Sequence, residues 1–174
     1  YTKNKIIGLY DLNDENFDDK DEKLFLKKLE KNISNFDLTL VVDYGHGLIT
    51  PKIAKLIQKK SKFLSVNAQL NSLNSSYHSI CKYGKADYIC VHEGELKHEF
   101  RSKYEKIESL ILKLQKKMKT TNLVITQGSK GSISLNKKKF TTCPAFADKV
   151  VDRTGAGDTI IAISTLCFKQ KIPD

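Results

Sequence analysis

The stretch that most constrains this chain lies near its C-terminal end. It reads Asp152-Arg153-Thr154-Gly155-Ala156-Gly157-Asp158, followed by the apolar run Thr159-Ile160-Ile161-Ala162-Ile163. Two glycines flank an alanine, so nothing bulky stands between the backbone and an approaching group. The run behind them has the length and small residues of a buried helix. A glycine turn feeding a helix presents free backbone N–H groups, and the helix dipole adds partial positive charge there. Such an end suits an anion, typically phosphate. Asp158 sits at the same end, where anion binding alone explains a carboxylate poorly. It is well placed to take a proton from a hydroxyl that attacks phosphorus. The competing reading is an ordinary Asp N-cap after a glycine turn.

The residues before the motif predict a sheet. Leu38-Thr39-Leu40-Val41-Val42 is a short apolar run of the kind buried on both faces of a parallel sheet. It ends at Asp43-Tyr44-Gly45-His46-Gly47. In doubly wound proteins ligands gather where loops leave the carboxyl ends of strands, which makes Asp43 a candidate substrate residue. Similar runs at 5–10, 63–66, 87–91 and 123–126 predict further strands, the second ending at Asn67. Helical spacing predicts helices over 22–33 and 104–118, and a short one over 76–82. Thr50-Pro51 predicts a helix start, with Thr as N-cap and Pro in the first turn. The segment 11–21 reads as an acidic surface loop, and 67–76 as a loop dense in Asn and Ser. Residues 132–135 and 140–143 predict an antiparallel pair across a lysine turn.

Composition then narrows the class. A chain of 174 residues with 40% hydrophobic and 29% charged residues can bury a core and is not of the disordered type. No apolar run is long enough to cross a bilayer and no signal-peptide pattern opens the chain, so a cytoplasmic location without membrane association is expected. The net charge of +10 comes mostly from dispersed lysines, with no Arg-rich stripe or RNA-binding aromatic motif. Nucleic acid is therefore not the expected partner, although the charge would help attract an anionic nucleotide or sugar phosphate. Cys81, Cys90, Cys143 and Cys167 form no CxxC pair and read as reduced, mostly core residues.

The motif Asp-x-Thr-Gly-Ala-Gly-Asp resembles the C-terminal signature of the ribokinase-like (PfkB-type) carbohydrate kinases, and the likeness extends over about 37–169. It implies an α/β fold, a mostly parallel sheet with helices on both faces and a small antiparallel flap near 131–143. It implies that Asp158 is the base and that Gly155, Ala156 and Gly157 form the anion hole, with ATP and Mg2+ as cofactors. Thr126-Gln127-Gly128-Ser129-Lys130-Gly131 resembles the family's Thr-x-Gly-x-x-Gly turn. Thr126, Gly128, Ser129 and Gly131 would then touch the nucleotide; taken alone the stretch is a common β-turn. Asn67 stands where many relatives carry Asp, as a neutral substitute in the nucleotide site or as a loop cap. His92-Glu93-Gly94-Glu95 is similar to the family's Asn-x-x-Glu, so Glu95 would organise magnesium, with Asp152 as a second candidate.

The 43–47 loop looks like the Asp-Tyr-x-Lys-Gly stretch of bacterial heptose-phosphate kinase/nucleotidyltransferases. That suggests a sugar or sugar phosphate as substrate, and a nucleotidyltransferase domain elsewhere in the parent chain. Two positions depart from the pattern: His46 replaces a Lys and His92 replaces the Asn. Compared with a full family member, residues 1–174 lack the glycine-rich sugar-binding segment with its β lid and the last helices. The expectation is one incomplete kinase domain, inactive by itself and compatible with a homodimer. The rival functions are a catalytically degenerate regulatory or interaction domain, and a kinase of a non-sugar alcohol such as a nucleoside or vitamin.

Overall fold

The computed structural model describes Ile7 and residues 17–71, 74, 78–147 and 154–172. Asp152 and nearly all of the expected 5–10 strand lie outside the described residues.

Four strands run parallel in chain order: β1 (Thr39–Asp43), β2 (Leu64–Ala68), β3 (Tyr88–His92) and β4 (Asn122–Thr126). Antiparallel β5 (Ser132–Asn136) and β6 (Lys139–Cys143) follow them. The expected antiparallel pair is thus present. It does not stand apart but continues the main sheet, with Thr126 opposite Ser132 and Asn122 opposite Asn136. Gly131 makes the reversal after β4: its φ is +92°, and a Cβ there would lie 2.0 Å from the Cys143 carbonyl oxygen.

Crossovers between parallel strands are almost always right-handed. Because each strand here pairs with the one before it, successive crossovers stack on one face. That face carries α1 (Asp19–Asn32), α2 (Pro51–Lys60), α3 (Glu93–Glu99) and α4 (Ile107–Met118). Alternate strand residues supply its core, among them Val41, Val66, Ile89, Val91, Leu123 and Ile125. Against them pack Ile53, Ala54 and Ile57 of α2, and Leu110, Ile111 and Leu114 of α4. The intervening strand residues face the other way, where α5 (Ala156–Gln170) lies over Tyr88, Cys90 and Val124. Helices therefore cover both faces, as expected, but very unequally.

Local signals explain most boundaries. Thr50 caps α2 through its side chain and Pro51 sits in the first turn, as the sequence predicts. Asp18 caps α1, which begins three residues before the expected start. The helix expected over 104–118 starts only at Ile107, and Tyr104 is exposed. The described part of the expected 76–82 helix is a single tight turn at Ile80–Tyr83, capped by Ser79. Cys90 is buried, Cys81 and Cys167 are half-buried, Cys143 is exposed, and all four are unpaired. Among the described residues no helix is long and apolar enough to cross a membrane.

Candidate active site

The parallel strands β1 to β4 end on one edge of the sheet, where the loops leaving β1 and β2 meet the start of α5. That start, like that of α4, has no side-chain cap. Gly155 is the N-cap, in the left-handed region at φ +77°, and among the described residues no side chain accepts from the first-turn amides. Helix geometry leaves those N–H groups without partners inside the helix. Gly155, Ala156 and Gly157 are all exposed. Asp158 is not the N-cap, so the plain capping reading fails. It is the third helical residue, and its carboxylate turns toward the neighbouring loops. Oδ1 accepts from the Gln69 side-chain amide at 2.7 Å, and Oδ2 faces the Tyr44 hydroxyl at 3.4 Å. Burial, then the Asp158 charge, raises the Tyr44 hydroxyl above its usual range, which keeps it a donor.

Asp43 is pointed elsewhere. Its carboxylate is buried beneath its own loop and accepts from the Tyr83 hydroxyl at 2.6 Å and the Gly45 amide at 2.9 Å. The Lys82 ammonium lies 2.6 Å away. Burial pushes this carboxyl upward, but the Lys82 and Tyr83 hydrogen bonds outweigh it and hold the group below its usual range. Gly45 must be glycine: φ is +72°, and a Cβ would lie 2.5 Å from the Asn74 amide nitrogen. His78 sits against the same loop, and burial lowers its pKa, so it is neutral near pH 7.

Asn74 ties the first two loops together. Fully buried, it donates to the Tyr44 carbonyl and the Gln69 carbonyl, each at 2.8 Å. Its own carbonyl accepts from the Asn71 amide at 2.9 Å. Asn67, at the end of β2, is buried and donates to the Cys90 carbonyl at 2.8 Å, while its Oδ1 has no hydrogen-bond partner among the described residues.

The segment after β3 is α3, a seven-residue helix that sequence periodicity does not reveal. His92 is its N-cap, accepting from the Gly94 amide at 3.0 Å through Nδ1. Glu95 completes the capping box by accepting from the His92 amide at 2.7 Å, and it also accepts from the Leu70 amide at 3.1 Å. Burial raises the Glu95 pKa. The departure from Asn to His thus keeps an acceptor at the helix start. The Gly128–Lys130 turn after β4 is closed by the Gly131 amide donating to the Gly128 carbonyl at 3.0 Å. Gln127 then docks this turn on α3, donating to Glu93 at 2.7 Å.

Asp158, Tyr44 and Gln69 are therefore in contact, whereas Asp43 and Glu95 are engaged by their own surroundings. Sequence reasoning missed Gln69, Tyr44, Asn74 and Gln127; the density of Asn in the 67–76 loop was the one available signal. For a nucleotide phosphate, the uncapped start of α5 fits. For magnesium the fit is narrower. Both Glu95 oxygens already accept backbone hydrogen bonds, and among the described residues no three His, Cys, Asp or Glu side chains converge. Magnesium commonly keeps several waters and one or two carboxylates. A role for Glu95 through water is compatible with that.

A mostly parallel sheet with helices on both faces defines an α/β protein. Within that class the chain belongs to the pfkB family of carbohydrate kinases, whose family model matches residues 5–168. It is 30% identical over 155 residues to the bifunctional protein HldE of Campylobacter jejuni (strain RM1221), covering 87% of this chain and 32% of that protein. The HldE protein of Helicobacter pylori (strain HPAG1) is 29% identical over 153 residues, covering 86% and 32%. The chain thus spans about a third of the length of the curated relatives it matches.

Among solved structures, phosphofructokinase-2 from Escherichia coli, in complex with substrates and products, superposes with a TM-score of 0.70 at 15% identity. That match covers 87% of this chain and 51% of the other. Arabidopsis thaliana ribokinase, complexed with ribose and ATP, gives 0.61 at 22% identity over 90% and 48%. At these identities the likeness shows the ribokinase-like fold.

Proposed function

We propose that this chain is part of a kinase that transfers the γ-phosphoryl group of ATP to a hydroxyl of a sugar or sugar phosphate. Asp158 accepts the hydroxyl proton as the acceptor oxygen bonds to phosphorus, and the bond to the ADP oxygen breaks. The amides of Gly155, Ala156 and Gly157 neutralise the charge on the phosphoryl oxygens. Thr126, Gly128, Ser129, Gly131 and Asn67 face the nucleotide, and the Asp43 loop bounds the sugar side. Magnesium, when bound, offsets phosphate charge, with Glu95 acting through water and Asp152 as a second partner.

One observation carries this reading. Asp158 lies within the first turn of an uncapped helix, yet its carboxylate points across to the loops after β1 and β2. A carboxylate that served only its own helix would turn back to the first-turn amides. The test is Asp158→Asn in the full-length protein. Turnover should fall about 100-fold or more with nucleotide affinity nearly intact, because general base catalysis typically contributes 10²–10⁴. Near-normal turnover would remove Asp158 from the chemistry.

The HldE relatives are named bifunctional, which supports a second catalytic domain, a nucleotidyltransferase, in the same parent chain. In this proposal the described residues form one domain of a longer cytoplasmic enzyme, with a homodimer as its assembly. A catalytically degenerate regulatory domain is the second reading. It is favoured by the engagement of both Glu95 oxygens in capping and loop contacts. Absence of magnesium-dependent ATP binding by the full-length protein would move the assignment to that reading. Turnover of a nucleoside or vitamin alcohol in preference to any sugar would change the acceptor class alone.

A further inference from the structure

We infer that Gln69 is a positioning residue for the candidate base, an inference that rests on the phosphoryl-transfer reading above. The Gln69 amide donates to Asp158 Oδ1 at 2.7 Å across 89 residues of sequence. A carboxylate pinned at one oxygen presents the other in a defined direction. That other oxygen, Oδ2, has among the described residues only the Tyr44 hydroxyl at 3.4 Å, longer than a normal O–H···O hydrogen bond. An acceptor hydroxyl can therefore approach Oδ2 without displacing a strong partner. The chemistry of the holding group matters as well. A cation placed against a carboxylate lowers its proton affinity, whereas a neutral amide orients it with less of that loss.

The arm that carries this amide is itself held. The Gln69 backbone N–H donates to the Asp43 carbonyl at 2.8 Å, and its carbonyl accepts from buried Asn74 at 2.8 Å. Asn74 also grips the Tyr44 carbonyl at 2.8 Å. The two residues that touch the Asp158 carboxylate are thus parts of one cross-linked pair of loops. A misplacement near 1 Å in a reacting group can cost about 10²-fold in rate.

The test uses the full-length protein, with magnesium, ATP and a heptose phosphate as the probe acceptor. Gln69→Ala should lower kcat about 10–100-fold while KM for ATP changes by no more than about twofold. Gln69→Glu keeps the shape but sets a second carboxylate against Asp158. It should lose at least as much kcat and move the acid limb of the kcat profile to higher pH, since close carboxylates compete for one proton. The double variant Asp158→Asn/Gln69→Ala should be no slower than Asp158→Asn alone, because Gln69 acts through Asp158.

Additive losses, or a fall in melting temperature with kcat unchanged, would overturn the inference. If Asp158→Asn abolishes turnover and Gln69→Ala does not, Gln69 loses its role and the base assignment survives. If Asp158→Asn leaves turnover intact, the underlying reading fails instead. A readout independent of turnover is the Gln69 side-chain amide signal in protein labelled with ¹⁵N-glutamine. It must shift in Asp158→Ala, and an unmoved signal overturns the contact itself.

Discussion

The two faces of the sheet are built by different rules. The face under α1 to α4 is a continuous apolar core in which Ile53, Ala54, Leu110, Ile111, Leu114 and Met118 are wholly inaccessible. The face under α5 buries far less. Ile161 is the helix's one fully buried apolar side chain among the described residues, and Ile163 and Leu166 are more than half exposed. Directed contacts hold α5 in place. Tyr88 stacks on Phe168 with ring centroids 4.6 Å apart, and its hydroxyl donates to Ser164 at 2.7 Å. Ser65 and Thr165 share a hydrogen bond of 2.7 Å in the buried layer. Apolar area stabilises without direction, so the first face can carry stability. Hydrogen bonds fix angle and register, which is what a helix carrying Asp158 at its start requires.

If that contrast is right, truncations on the two faces should differ in kind. The largest stability loss should come from Leu114→Ala on α4. Emptying this fully buried site should cost about 2–5 kcal/mol in denaturant unfolding, with the folded fraction retaining its kcat. A loss below about 1 kcal/mol would mean that the face collapses around the gap and is less rigid than its burial suggests.

Next is Asp43→Ala, also on the first face, expected to cost about 3 kcal/mol because it removes the counter-charge of Lys82 and leaves the buried Tyr83 hydroxyl without its acceptor. Its pH dependence has a definite sign. The folded carboxyl lies below its unfolded value, so its contribution is present above the unfolded pKa and is lost as pH falls through the folded one. The stability gap between wild type and Asp43→Asn should therefore be full at pH 7 and shrink below about pH 4. A gap that widened in acid would contradict the arrangement.

On the second face, Ser65→Ala should cost about 1–2 kcal/mol by leaving the Thr165 hydroxyl unpaired, and Ser65→Ala/Thr165→Val should recover most of that. In the full-length protein the single change should depress kcat more than Leu114→Ala does, since it loosens the seating of α5. Equal kcat in the two variants would erase the division of labour. The smallest stability change should be that of Asp158→Asn, about 0.5 kcal/mol from the lost charge near a helix start, alongside the largest loss of turnover.

Much of the frame was legible because its signals are local. The parallel strands announced themselves as short apolar runs, and Thr50-Pro51 marked the start of α2. The motif at 152–158 marked the start of α5, although its N-cap is Gly155 and not the aspartate. Helix α3 escaped notice because seven residues hold too little periodicity, and histidine is not among the usual caps. The flap's union with the main sheet was equally hidden, since a hairpin pattern does not say which third strand it joins.

What the sequence determined alone is therefore the order of the strands and of the longer helices, and some of the places where glycine must bend the backbone. Those depend on steric limits and on side-chain period, both properties of neighbouring residues. The partners of each candidate site residue were decided only by the tertiary structure. Asp158 meets Gln69 across 89 residues and Tyr44 across 114, and Asp43 meets Tyr83 across 40. Asp43 shows the consequence most clearly. In sequence it is a carboxylate at a strand end, open to a ligand. In the fold it accepts from Lys82 and Tyr83 beneath its own loop, because a buried charge is costly until opposing charge and donors close around it.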